Sequence, residues 1–339
     1  MASVDPKTKT TYANTDWDQY RQGRPPYPPS LTELTYSYRR QHPNVGWERL
    51  VDVGAGSGIA STNFMPDFSI IHNSDPSPGN EDQARAFLPN WAQRHNLATT
   101  FEYTQSGGEE AHTKTGEQSA DMVICATAAH FIDPDGLAAS IAKMLRPGGT
   151  LAVFSYWMPS FPGRSQHFHD VFAKYYDNLV LEPLQSGDDL TRTRLSKVIQ
   201  RRMAGKGVLD SLPIPEEFYD DPLRVYINAG STGEIPYNSL FDKFAPLDPQ
   251  PGGIARVSAR DRIVTYHTGT DAEAEGWGFD ADKKWLSIFL DTIRPADKKL
   301  SEEESREAYK EWDKIFDEEC PNGTLRVLWP AYVVLATRK

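Results

Sequence analysis

The residues best suited to chemistry lie together in Val51-Asp52-Val53-Gly54-Ala55-Gly56-Ser57-Gly58. Glycines at alternate positions let a chain turn sharply and approach a ligand where a Cβ would clash. A helix starting just beyond the turn would add unpaired N–H groups, which suit a carboxylate or a phosphate. A dinucleotide site would read G-x-G-x-x-G. Here the third glycine comes one place early, and Ile59 stands where the last glycine would be. Asp52 would repel a pyrophosphate and attract an ammonium group. Asp75, which follows the next apolar run Phe68–His72, would stand on the same sheet edge, where a carboxylate can accept both hydroxyls of a ribose. S-adenosylmethionine offers an ammonium, a carboxylate, a sulfonium and a ribose, and no phosphate. The pattern fits that ligand better than a dinucleotide, although glycines at this spacing also make plain turns.

Other candidates lie downstream. His130 is placed to act as a general base just past an apolar strand, or only to hydrogen-bond its own loop. Trp157, Phe161, His167, Phe168, Phe172 and Tyr176 follow the fifth strand and could line an acceptor pocket or simply pack a lid. His167 and His169 have no third ligand cluster beside them, so no metal is expected. The basic run from Arg192 to Arg202 reads as a solvated helix face, with a grip on an acidic substrate as the alternative. Arg24 could clamp a carboxylate or anchor the proline turn around it.

These residues need a scaffold. Strands are expected at Arg49–Val53, Phe68–His72, Thr99–Thr104, Asp121–Ala126 and Thr150–Phe154, alternating with helices. That order implies an α/β fold, a doubly wound and mostly parallel sheet covered on both faces. The alternation lapses over 157–254, returns at Ile263–His267, and closes with Thr324–Trp329 and Ala331–Ala336, read as one last strand interrupted at Pro330. The expected organisation is an N-terminal helical cap (1–45), a cofactor-binding core (46–156), a largely helical substrate-binding insertion or lid (157–254), and completion of the sheet with C-terminal helices (255–339).

Composition narrows the function. The 339 residues carry 36 Lys plus Arg against 47 Asp plus Glu, a formal charge of −11, which argues against nucleic acid as the main ligand. The two cysteines, Cys125 and Cys320, cannot build a disulfide framework or a zinc cluster. The N-terminal residues are polar, and no run approaches ~20 apolar residues, so a cytoplasmic protein with no membrane partner is expected. The sequence assigns no oligomeric state.

The chain resembles class I S-adenosylmethionine-dependent methyltransferases, especially the trans-aconitate methyltransferase-like small-molecule branch. The resemblance rests on Tyr20…Arg24-Pro25-Pro26-Tyr27-Pro28, the glycine run, Asp75-Pro76-Ser77, Ser119–Val123, Ala128-Ala129-His130-Phe131 and Leu145–Leu151. It implies a seven-stranded Rossmann-like sheet with an antiparallel last strand, and S-adenosylhomocysteine as product. It implies that Gly54, Ala55, Gly56 and Gly58 border the methionine part and that Ala126 and Thr127 lie near its end. Asp75 would hold the ribose, Pro76 the adenine, and Gly108 and Glu109 the adenine edge. Tyr20 and Arg24 would close over the cofactor. The expected reaction is methyl transfer to a small-molecule oxygen, a carboxylate or a natural-product hydroxyl. The rivals are the same fold used as a cyclase or pericyclic catalyst, and a non-catalytic cofactor sensor.

Overall fold

The structure is a computed structural model that describes residues 15–42, 46–175, 189–229, 252–293 and 302–339. Tyr176 lies outside the described residues, as does Ser301, read as a helix cap. Strands β1 (Arg49–Val53), β2 (Ile70–Ser74), β3 (Thr100–Thr104), β4 (Ala120–Ala126) and β5 (Leu145–Tyr156) form the parallel part of the main sheet. β6 (Tyr219–Ile227), β7 (Arg262–Tyr266) and β10 (Ala331–Arg338) complete it in the order β3-β2-β1-β4-β5-β10-β6-β7. β8 (Gly278–Asp282) and β9 (Thr324–Leu328) pair apart as a small antiparallel ribbon.

Helices α1 (Trp17–Gly23) and α2 (Pro29–Arg40) precede the sheet, and α3 (Pro78–Arg94), α4 (His112–Thr115) and α5 (Pro134–Met144) connect its first strands. α6 (Asp189–Arg202), α7 (Lys283–Ile293), α8 (Glu302–Ala308) and α9 (Lys310–Glu319) follow. Residues 166–175 are also helical.

The α/β expectation holds, with three corrections. The main sheet has eight strands, not seven, because β7 adds to β6 in parallel beyond the antiparallel β10. β6 falls inside the stretch read as a largely helical lid, so the sheet resumes before residue 254. Thr324–Leu328 leaves the main sheet for β8, because Trp329 and Pro330 break the strand there; only Ala331 onward pairs with β5.

The sequence explains the core. β4 is apolar at nearly every position, and its first six residues are buried, as a central strand covered on both faces requires. Each buried Val, Ile or Met there contributes about 1.5–3 kcal/mol. The amino ends of the strands are sealed by a polar network. Asp121 accepts the N–H groups of Glu48 and Arg49, both at 2.9 Å. The fully buried Arg39 donates to the Asp121 carbonyl (2.7 Å) and to Thr150 Oγ1 (2.9 Å) beneath Trp47. The order reverses between β1 and β4, which opens a crevice at the opposite, carboxyl ends.

Candidate active site

β1 and β2 run in register to their ends, so Val53 lies beside Ser74 and the glycine bend rises next to Asp75. The N–H groups of Gly54 and Ala55 donate to the Ser74 carbonyl at 2.8 and 3.2 Å. Gly54 has φ of 69°, and an added Cβ would lie 2.6 Å from the Ala128 Cβ, so only glycine fits. Gly56 has φ of 56° and faces the Trp17 ring, 2.7 Å from where its Cβ would be. Gly58 also adopts a left-handed φ, against Leu88. The segment after the bend is a short 3-10 turn, Ala60–Asn63, rather than the expected helix N-terminus. Within the bend the N–H groups of Gly54, Ala55, Gly56 and Gly58 are already taken by Ser74, Asp75 and Ala55.

Asp75 is buried and ties this bend down. One carboxylate oxygen accepts Gly56 N–H (2.9 Å); the other accepts Ser77 N–H (2.9 Å) and Asn80 Nδ2 (3.0 Å). Three internal donors leave about one of some four acceptor positions open. In this arrangement Asp75 holds the cradle together, with room for a further donor beside those three. Pro76 beside it is exposed.

Asp52 is the cradle's charged floor. It is fully buried; Ser61 Oγ donates to Oδ2 at 2.8 Å, and Asn73 Nδ2 in turn donates to Ser61. Oδ1 is buried without a hydrogen-bond partner. Burial raises this carboxyl to about 7, against the Ser61 hydrogen bond and with help from Asp75. An orphaned acceptor below a bend with no room for side chains at Gly54 and Gly56 fits the ammonium end of S-adenosylmethionine.

The C-terminal end of β4 carries strain. Thr127 has φ of 51°, a conformation costly for a β-branched residue. Its N–H bonds the Phe154 carbonyl (2.8 Å), and its hydroxyl shares a hydrogen bond with Tyr27 Oη (2.9 Å). Burial, then the neighbouring Tyr156, pushes the Tyr27 phenol far above its ordinary range, so it stays neutral. Ala126 is half-buried beside Thr127.

The roof comes from distant segments. α1 packs on α7, with Gly23 pressed against Ile288. Arg24 lies over the Tyr20 ring (4.7 Å), donates to the Thr292 carbonyl (3.0 Å), and reaches Tyr156 Oη (3.5 Å). Tyr20 and Arg24 thus sit in a cap joined to α7 and β5, with Trp17 over the bend.

His130 occupies the rim. It is buried in a 3-10 turn, with Arg202 Nη1 at 3.5 Å from Nε2 and Arg201 donating to the backbone carbonyls of His130 (3.4 Å) and Ile132 (2.8 Å). Burial first, then Arg202, Arg201 and Arg24, holds its pKa well below that of a free histidine. A neutral imidazole so placed is a weak proton acceptor, which counts against the general-base reading.

Several expectations move elsewhere. Glu109 is exposed and accepts the Asp133 N–H (2.8 Å) at the start of α5, while Gly108 is packed against Ile132. Among the described residues, Phe161, Phe168 and Phe172 are buried in one cluster with Trp312, at ring separations of 4.7–6.3 Å. His167 is exposed on the helical stretch, where alternate residues do not share a face. Trp157 does reach the rim, stacked beneath Arg202 at 4.5 Å.

Sequence reasoning gave no site role to Trp17 or Tyr156, and placed Arg201 and Arg202 in a run read first as a solvated helix face, with a grip on an acidic substrate as the alternative. For Arg202 a signal existed: it stands three residues after Ile199 and four after Val198, on the apolar face of α6 rather than on the solvated one.

A doubly wound sheet with a glycine bend, a buried acid below it and a second acid at the adjacent strand end defines a nucleoside-cofactor enzyme. Residues 51–153 match the methyltransferase domain family. Among curated relatives, a methyltransferase of Claviceps purpurea is 26% identical over 95% of this chain and 91% of its own length. Methyltransferase ptaI of Pestalotiopsis fici is 24% identical over 95% of this chain and 93% of its own. Methyltransferase tpcM of Aspergillus fumigatus is 26% identical over 95% and 91%. Residues 51–153 thus carry a methyltransferase domain, and relatives along nearly the whole chain support an S-adenosylmethionine-dependent methyl-transfer enzyme. The matches do not single out the trans-aconitate branch.

Proposed function

We propose that the protein methylates an oxygen nucleophile, a carboxylate or hydroxyl, on a small natural-product acceptor. Bound at the bend, S-adenosylmethionine supplies an electrophilic methyl group on a sulfonium. The protein's part is to fix the approach line and exclude water. Trp17, Tyr27 and Arg24 cover the cradle, and Thr127 presents strained backbone beside it. In-line displacement gains most from such positioning. When anion meets sulfonium, charge is lost in the transition state, so a dry site favours the reaction. The observation carrying the oxygen assignment is the cationic rim: Arg24, Arg201 and Arg202 all bear on His130, a setting that attracts an oxyanion and repels a protonated amine.

The test is product mass after incubating purified protein and S-adenosylmethionine with carboxylic acids, phenols and amines. Gain of one methyl on an acid or phenol is expected. An isomer of unchanged mass would point to the cyclase use of the fold, cofactor binding without turnover to a sensor, and methylated amines to a different acceptor class.

A further inference from the structure

We infer that Tyr27 is a positioning residue whose hydroxyl latches Thr127. It holds the loop after β4 in a left-handed turn against the glycine bend, and the proline segment around Tyr27 thereby sets how tightly the bend takes its cofactor. The inference needs the cofactor site alone and stands whatever the acceptor.

The proline run supplies a rigid arm. Tyr27 lies between Pro25-Pro26 and Pro28-Pro29. Each proline fixes its own φ, and Pro28 disfavours the helical region for Tyr27, so the arm has little freedom to lose on folding. The tyrosine is then pinned at backbone and side chain. Asn63 Nδ2, at the end of the 3-10 turn that follows the glycine bend, donates to the Tyr27 carbonyl at 2.9 Å. The ring packs edge-on against Phe154, with centroids 5.2 Å apart, and its hydroxyl lies 2.9 Å from Thr127 Oγ1. Burial, then the neighbouring Tyr156, keeps the phenol neutral, so it serves as a hydrogen-bonding group and not as a base.

Thr127 is where a latch is needed. The described non-glycine residues with left-handed φ are Asn96, Gln118, Thr127, Asp221 and Asn228, and of these only Thr127 is β-branched. A branched side chain crowds its own backbone in that region, and the conformation persists only where neighbours enforce it. Two hydrogen bonds do so. Thr127 N–H donates to the Phe154 carbonyl at 2.8 Å, and the Thr127 hydroxyl meets Tyr27. The residue whose carbonyl takes the first bond is the one on which the Tyr27 ring rests. The next residue along, Ala128, abuts the bend: a Cβ on Gly54 would come 2.6 Å from the Ala128 Cβ. Any relaxation of Thr127 toward negative φ therefore shifts the wall that Gly54 faces.

The test uses the full chain, S-adenosylhomocysteine as the probe, and a cycle of Tyr27→Phe and Thr127→Gly. Tyr27→Phe keeps the ring and removes one hydrogen bond, so the probe should bind about three- to tenfold more weakly by titration calorimetry. In the ligand-free protein, the amides of Thr127 and Ala128 should exchange with deuterium faster in Tyr27→Phe than in wild type. Glycine adopts left-handed φ without strain, so adding Tyr27→Phe to Thr127→Gly should change affinity by less than about twofold. Should Thr127→Gly bind too weakly to measure, Thr127→Asn takes its place, because asparagine tolerates the left-handed region; the effect of Tyr27→Phe should again be smaller than in wild type. Tyr27→Phe without loss of affinity overturns the proposal. So does an equal loss in both backgrounds, which would mean that the hydroxyl acts on the ligand rather than through Thr127. If the wild type fails to bind S-adenosylhomocysteine, the cofactor reading falls, and the exchange comparison decides the latch by itself: faster exchange in Tyr27→Phe supports it, and unchanged exchange overturns it.

Discussion

Asp52→Asn isolates the buried acid beneath the bend. In the folded chain this carboxyl holds its proton up to about pH 7, whereas an unstructured aspartate releases it near 3.8. Between those values the folded state binds more protons than the unfolded one. The contribution of this one group to stability is therefore greatest below about pH 4, falls as pH rises, and levels off above about pH 7. A shift of roughly three units at 1.36 kcal/mol each amounts to about 4 kcal/mol. Asparagine keeps the shape and can still accept from Ser61, but it does not ionise. The stability of Asp52→Asn relative to wild type should thus rise by about 4 kcal/mol from about pH 4 to about pH 8, measured by urea unfolding at each pH. A difference between the two proteins that stays constant across that range would refute the assignment.

The same acid makes a second quantity measurable. An ammonium placed against Oδ1 favours the ionised form, so S-adenosylhomocysteine binding near pH 6 should expel about one proton from the wild type. Calorimetry in two buffers of different ionisation enthalpy reads this directly. Asp52→Asn should expel correspondingly less, and identical buffer dependence in both proteins would remove Asp52 from the ammonium site.

Asp75→Ala strands three donors, those of Gly56, Ser77 and Asn80, and should cost about 2–4 kcal/mol in thermal denaturation together with at least tenfold weaker S-adenosylhomocysteine binding. Unchanged values of both would mean the bend is held some other way. Gly23→Ala would set a Cβ 2.6 Å from Ile288 Cγ2 and 2.9 Å from its carbonyl carbon, prising α1 off α7. It should weaken S-adenosylhomocysteine binding and speed proteolysis near α1 while leaving global unfolding almost unmoved; intact affinity would show that α1 is not part of the cover. Phe168→Ala empties the centre of the Trp312 cluster and should destabilise by about 3–5 kcal/mol with no change in acceptor KM. A raised KM in a stably folded variant would return Phe168 to the pocket.

The legible parts of the sequence were those where local chemistry dictates structure. The bend could be read because glycine at Gly54 answers a backbone requirement, and β4 because an apolar run of its length fits a strand covered twice. β6 escaped notice because Tyr219–Ile227 opens with two aspartates and a proline; its pairing with β10 is set by residues more than a hundred positions away. The aromatic residues after β5 were ambiguous for a related reason. A phenylalanine lining a pocket and one packed on Trp312 look alike in sequence, and only the partner, far along the chain, separates them. Arg202 is half-buried although the run around it reads first as a solvated face, because its position three and four residues after Ile199 and Val198 turns it toward the apolar side.

The two ends of the sheet show why the site belongs where it is. At the amino ends, Arg39 donates to the Asp121 backbone carbonyl and the Asp121 carboxylate pairs with Arg146 at 2.8 Å, so acid and cation meet in a closed seal. At the carboxyl ends, the orphaned oxygen of Asp52, the left-handed Thr127 and the neutral His130 among arginines each cost free energy. Such costs at the ends of β1 and β4 are offset by core burial elsewhere, and on the proposed reading the cofactor's ammonium would relieve the one at Asp52. The crevice between β1 and β4 supplies only the floor. Its cover is drawn from α1, α6 and α7, segments far from the bend in sequence.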